Sequence, residues 1–219
     1  MWIGAYEPRL VAFLKYFLKP GMVFLDIGAN IGFFSAIAAG LVGTTGRVYA
    51  FEPNPSCLSL LEQNLLAFPW AVVCPVAVGD EAARAIFYQS NRADEDGWGS
   101  LFCNGRSCST IDVQVVRIDD WCRRRSIQQV DFVKMDIEGG EYRALTGAKN
   151  LFNRSHPVIV GEMNPECLRR DRRGPDDVVK LLRDLNYDVF AFDDDNFVAV
   201  HREADPIRLR RFLGKPVRL

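Results

Sequence analysis

The hydrophobic positions of the chain alternate between two periods. Leu10, Phe13, Leu14, Phe17 and Leu18 recur at helical spacing, with Arg9, Lys15 and Lys19 among them, until Lys19-Pro20-Gly21 ends the helix. An apolar run from Val23 to Ile27, carrying Asp26, then closes in Gly28-Ala29-Asn30-Ile31-Gly32, and Phe33 to Leu41 continues in apolar and small residues. This predicts a buried strand, a glycine turn and a helix. Val48 to Phe51 predicts a second strand ending at Glu52, Pro55 to Leu66 a helix, and Ala71 to Val78 a third strand closed by Gly79-Asp80. The order β-α-β-α-β brings strand tips and helix N-termini to one crevice.

From Ala83 the pattern changes. Ala85 to Gln89 and Ile111 to Val115 alternate like strands on either side of a polar, acidic stretch, Asn91 to Gly99, which contains Trp98 and is followed by Ser100. Asp119 to Ile127 predicts a helix leading into a strand from Val130 that ends in Asp136-Ile137-Glu138-Gly139-Gly140-Glu141, with a helix from Glu141 to Phe152. Pro157 to Glu162 reads as a fifth buried strand and Pro175 to Leu185 as a helix. Asp188 to Phe192 and Phe197 to Val200 form a hairpin around Asp193-Asp194-Asp195-Asn196, which lacks the spaced ligands of a calcium loop. The fold class expected is α/β and Rossmann-like, with a mostly parallel central sheet flanked by helices and an antiparallel hairpin strand near the C-terminus.

Composition adds limits rather than direction. The chain has 219 residues, is 48% hydrophobic and 25% charged, and carries a formal charge of −1, which fits one domain over residues 1–219. Within it residues 1–20 form an N-terminal helix or a lid, 20–165 the cofactor-binding and catalytic core, and 166–219 a helix, the hairpin and a basic tail. That tail, from Arg202, holds six basic and two acidic residues and reads as a solvated surface, so no specific nucleic-acid binding is expected. No stretch resembles a secretory signal or a membrane span, and the six cysteines form no close metal-binding pair, so reduced thiols and a cytoplasmic location are expected.

The chemistry concentrates at strand ends. A carboxylate at Asp26 would repel a pyrophosphate and attract an ammonium or sulfonium group. Glu52, at the tip of the second strand, is placed to accept both hydroxyls of a ribose. Lys134 and Asp136 share one side of their strand, and a lysine in a core strand needs a partner, so contact with Asp136 or Glu138 is expected. Glu138 and Glu141 would also suit a helix N-terminus in a purely structural turn.

Three blocks in order, Asp26 to Gly32, Glu52-Pro53 and Lys134 to Glu141, resemble the FkbM family of S-adenosylmethionine-dependent methyltransferases, which have the class I methyltransferase fold. The resemblance covers about residues 20–165. It implies S-adenosylmethionine as cofactor, S-adenosylhomocysteine as product, and methyl transfer to oxygen on a small-molecule or carbohydrate acceptor. Carried onto this sequence, Asp26, Gly28, Ala29, Asn30 and Gly32 would surround the methionine portion, and Glu52 with Pro53 and Asn54 the ribose. Val78 and Gly79 would meet adenine, with Ser100 beside them, and Asp136 and Glu138 would face the methyl group and the acceptor. Asp136 is the preferred base, with Lys134 anchoring it and Glu138 or Glu162 positioning the acceptor. A divalent metal held by such carboxylates would serve instead, but no ligand set is assigned. His156 and His201 lie away from the strand tips and are not expected to act.

Two other readings remain. A nicotinamide-dependent oxidoreductase would carry glycine where Asn30 and Phe33 stand, and a catalytically inactive cofactor-binding or scaffold protein would not require acids at three separate strand tips.

Overall fold

The computed structural model describes residues 6–90, 99–103, 108–193 and 195–204. Helix α1 (Pro8–Phe17) leads into β1 (Val23–Ile27), α2 (Phe33–Val42), β2 (Arg47–Phe51), α3 (Pro55–Leu65) and β3 (Ala71–Cys74). Short β4 (Ala77–Val78), β5 (Ala83–Ser90), β6 (Gly99–Ser100) and β7 (Cys108–Val116) follow, then α4 (Ile118–Arg124), β8 (Phe132–Met135), α5 (Glu141–Thr146), α6 (Lys149–Ser155) and β9 (Val158–Glu162). The chain closes with α7 (Pro165–Leu168), a 3₁₀ turn, α8 (Pro175–Asp184), β10 (Tyr187–Ala191) and β11 (Asn196–His201).

Seven strands form the central sheet in the order β10-β11-β9-β8-β1-β2-β3. All neighbours are parallel except β11, which runs antiparallel to both β9 and β10. The chain leaves β1 toward β2 on one side and later returns to β8 on the other, so the order reverses at β1 and opens a crevice beyond the strand tips. Alternation along β1 sends Phe24 to the face covered by α1 and α2, with Phe13, Phe132 and Val198, and Leu25 to the opposite face, with Trp121, Leu145 and Phe152. Helix α1 is therefore packed on the sheet. Phe13 and Leu14 are fully buried there, each worth about 2–3 kcal/mol.

The single third strand expected from Ala71 to Val78 is broken. Pro75 supplies no N–H for a ladder, Val76 turns back to bond the Cys74 carbonyl at 2.8 Å, and Ala77–Val78 joins a second, four-stranded sheet in the order β4-β7-β5-β6. The helix expected from Glu141 to Phe152 is two helices. They part at Gly147, where a side-chain carbon would stand 2.1 Å from the Gly79 carbonyl oxygen, so only glycine permits this approach. Among the described residues no helix is long and apolar enough to cross a membrane, and none of the six cysteines is paired.

Candidate active site

A cavity of about 740 Å³ lies beyond the tips of β1, β2, β8 and β9, lined also by Phe87 and Gly99 of the second sheet and by Leu101 just after it. Its floor is backbone. Gly28 has φ of +81° and a side-chain carbon there would sit 1.9 Å from the Asp136 carbonyl oxygen, so glycine is what lets β1 and β8 close beneath the ligand space. Gly28 and Ala29 each donate an N–H to the Phe51 carbonyl, and Asn30, also left-handed at φ +50°, turns the chain toward β2.

At the β2 side, Glu52 is held by two backbone donors, Asn30 N–H on Oε2 and Asn54 N–H on Oε1, both at 2.8 Å. Burial pushes its carboxyl up to about 7, against the pull of these two bonds. Phe51, Pro53, Val76, Ala77 and Val78 give this end an apolar wall.

Lys134 lies at the centre, its Nζ donating to the Gly28 carbonyl at 3.0 Å and standing 3.6 Å from Asp26 Oδ1 and 3.4 Å from Asp136 Oδ2. Burial alone would push the ammonium down, but Asp136 and Asp26 hold it up, and it stays charged. Asp26 is fully buried beneath the cavity. It accepts from the Ser35 hydroxyl at 2.6 Å, and its carboxyl is pushed up by burial while Lys134 and Ser35 pull the other way.

The opposite end gathers acids. Asp136, Glu138 and Glu162 all line the cavity, with Ile137 and Asn196 between them. Glu138 is held at φ +57°, accepts from the Cys167 thiol at 3.2 Å, and its carbonyl accepts from the Ser100 hydroxyl at 2.9 Å. Glu162 ends β9 with Oε2 buried and without a hydrogen-bond partner among the described residues, and burial followed by Asp136 and Glu138 pushes its carboxyl up to about 8. The loop carrying Asp136 and Glu138 is clamped from behind by Glu141, which accepts from Ile137 N–H at 2.9 Å and Gly139 N–H at 3.0 Å and is itself pushed up to about 7 by burial. Donor atoms of Glu138, Glu162 and Cys167 lie within 4.8 Å of one another, spacing that a cation would fit. The thiol, pushed up to about 12 by burial and Glu138, keeps its proton there.

Of the residues expected at the site, Gly28, Ala29, Asn30, Glu52, Pro53, Val78, Lys134, Asp136, Glu138 and Glu162 meet in this one cavity. The others stand outside its lining. Asp26 is sealed under Lys134; Gly32 lets α2 start against Leu61; Asn54 caps α3 on the Ser56 N–H. Gly79 N–H bonds the Val116 carbonyl, and Ser100 ties the second sheet to Glu138. Trp98 and Asp194 lie outside the described residues, as does the tail from residue 205. The sequence reading missed Tyr6, Glu7, Phe33, Phe34 and Asn196, which also line the cavity. For Tyr6 and Glu7 the available signal was their place immediately before an amphipathic helix.

Among the described residues, five carboxylates and one ammonium line the cavity, and that ammonium is already paired. The balance favours a ligand with positive charge. The volume suits a nucleoside-sized ligand together with part of a second molecule.

Comparison with known proteins bears on this geometry. The sequence model of the Methyltransferase FkbM domain matches residues 26–189. The 2-O-methyltransferase NoeI of Sinorhizobium fredii is 27% identical over 155 residues, covering 65% of this chain and 63% of its own length, so this chain spans less than two thirds of that relative. The 31-O-demethyl-FK506 methyltransferase FkbM of Streptomyces tacrolimicus is 29% identical, with 90% of this chain and 84% of the relative covered. Among solved structures, a methyltransferase FkbM from Methylobacillus flagellatus superposes with a TM-score of 0.55 at 19% identity, over 87% of this chain and 50% of that one. Aeropyrum pernix fibrillarin, solved with natively bound S-adenosyl-L-methionine, superposes with a TM-score of 0.52 at 15% identity, over 87% and 73%.

Proposed function

The chain belongs to the FkbM methyltransferase family, with the class I methyltransferase fold, and from that premise we propose that it transfers a methyl group from S-adenosylmethionine to a hydroxyl of a small molecule or sugar. The observation that carries this reading is one cavity holding a backbone-braced Glu52 at one end and the acids Asp136, Glu138 and Glu162 at the other. When bound, the cofactor supplies an electrophilic methyl on a sulfonium. Glu52 accepts the ribose hydroxyls, and the apolar wall of Val76, Ala77 and Val78 takes the adenine face.

An alcohol attacking a methyl group must lose its proton as the bond forms. Asp136 is committed to Lys134 at 3.4 Å, which makes it a positioning group for the acceptor. Glu162 has an unpartnered oxygen and a carboxyl pushed up to about 8, the proton affinity a base needs near neutral pH. Glu162 therefore takes the hydroxyl proton, and Glu138, steadied by Cys167 and Ser100, orients the acceptor.

The test pairs calorimetric titration of S-adenosylhomocysteine with labelled methyl transfer to a panel of glycosides and macrolides. Binding by the wild type that collapses in Glu52→Ala, with label appearing on oxygen, supports the assignment. A folded wild type that binds no S-adenosylhomocysteine removes it.

A further inference from the structure

The two residues ahead of α1 are part of the cavity rather than of the helix. Glu7 occupies the helix N-cap position in a left-handed conformation, φ +42° and ψ +59°, which costs about 1 kcal/mol or more for a non-glycine residue and persists only where something holds it. Its side chain makes no capping hydrogen bond. Instead the half-buried carboxylate lines the cavity, where it bonds the Tyr6 side chain and is attracted by Lys134. Tyr6 locks the segment in place, its ring edge-on to Phe33 at 5.6 Å and tilted on Phe34 at 5.9 Å, over the first turn of α2. Lys134 Nζ approaches the Phe34 ring to 5.4 Å, so Tyr6, Phe34 and Lys134 form one corner.

That corner surrounds the place where an amino-acid moiety of the cofactor would lie, given a ribose on Glu52 and a glycine turn between them. Such a moiety carries one carboxylate and one ammonium. The carboxylate is suited by the N-terminus of α2, whose first N–H groups have no side-chain cap because Gly32 precedes them. The ammonium needs an anion, and the candidates are few. Asp26 is sealed and bonded to Ser35; Glu52 is braced by two N–H groups and assigned to the ribose; Asp136 is paired with Lys134; Glu7, bonded to Tyr6, stands next to the Phe33–Phe34 corner itself. Glu138 and Glu162 stand with the acceptor group beyond Asp136. Lys134 itself, bonded to Gly28 and paired with two acids, has no donor to spare for the carboxylate.

We infer that Glu7 is the anchor for the α-ammonium of the cofactor's methionine moiety, so that the N-terminal segment completes the cofactor site; the inference rests on the methyltransferase reading. The zwitterion would be gripped from two elements, with opposite ends of the group read by opposite charges. This also explains why a residue at a capping position spends its carboxylate on the cavity.

The decisive experiment is calorimetric titration of wild type and Glu7→Gln with two ligands, S-adenosylhomocysteine and 5′-methylthioadenosine, the second lacking the amino-acid moiety. Glu7 is half-buried at the edge of the fold, and matched thermal midpoints and circular dichroism would establish that the variant is intact. The expected result is a loss of about tenfold for S-adenosylhomocysteine in Glu7→Gln, with 5′-methylthioadenosine affinity unchanged within about twofold. Equal S-adenosylhomocysteine affinity in the two proteins, or an equal loss for both ligands, overturns the role of Glu7 and leaves the methyltransferase reading standing. Binding of neither ligand by folded wild type overturns both.

Discussion

Replacing Lys134 by methionine tests the electrostatic core of the site. The variant leaves Asp26, fully buried, with the Ser35 hydroxyl as its remaining close polar partner, and deprives the Gly28 carbonyl of its 3.0 Å donor. Stranding one member of a buried ion pair costs about 3–5 kcal/mol, and the lost donor adds about 1. A total of about 4–6 kcal/mol is a large part of the roughly 5–15 kcal/mol that holds a domain folded. Asp26→Asn with Lys134→Met removes both charges and leaves a neutral amide beside Ser35, so the double variant should recover about 2–3 kcal/mol relative to the sum of the single losses. Urea unfolding at constant m-value measures each. The sign with pH is fixed too. In Lys134→Met the folded pKa of Asp26 lies far above its unfolded value, so the penalty is present at neutral pH and shrinks as pH falls toward about 4. A Lys134→Met loss below about 1.5 kcal/mol, or strictly additive single variants, would refute the argument that this lysine neutralises a charge buried under the site.

Three further outcomes follow from the same geometry. With Glu162 as the proposed base, it must be ionised to accept a proton, so kcat/KM should rise with pH through about 8 and level off above about 9, and Glu162→Gln should flatten the profile and lower the rate about 100-fold, as initial rates between about pH 6 and 9.5 would record. Gly28→Ala should lose about 3 kcal/mol or more, or fail to fold, because φ is +81° and the new carbon meets a carbonyl oxygen at 1.9 Å; thermal unfolding would read this. His201 is buried with its ring 3.6 Å from that of His156, and burial followed by His156 lowers its pKa. The unfolded chain therefore takes up a proton first as pH falls below about 6.5, stability drops through that window, and His201→Asn should remove this part of the slope in denaturant midpoints.

Much of this was legible locally. The glycine turn after β1, the acid at the tip of β2 and the cluster after β8 each announce themselves within a few residues, and Glu162 is placed by ending an apolar strand. What was not legible depended on partners distant in sequence. Asp26 looks ligand-facing in isolation, but alternation turns it toward α2, and the register that sets it opposite Lys134 joins strands more than 100 residues apart. Val78 pairs with Val116 in a sheet whose existence no single strand reveals, and Pro75 is the local mark of the break. Glu7 was hidden for another reason: its neighbours make a helix start, and only the packing of Tyr6 on α2 turns it inward.

Glu141 carries a lesson for mapping this site by mutational scanning. It is 1% exposed and outside the cavity lining, yet it fixes the backbone that presents Asp136 and Glu138. Substitutions there would register as lost turnover with little change in cofactor affinity, the same phenotype as removing a group that handles the reacting proton. Screens ranked on turnover alone would count it among the reacting groups. A pH–rate profile separates the two, since loosening the loop scales the whole curve down whereas removing the base deletes its ascending limb.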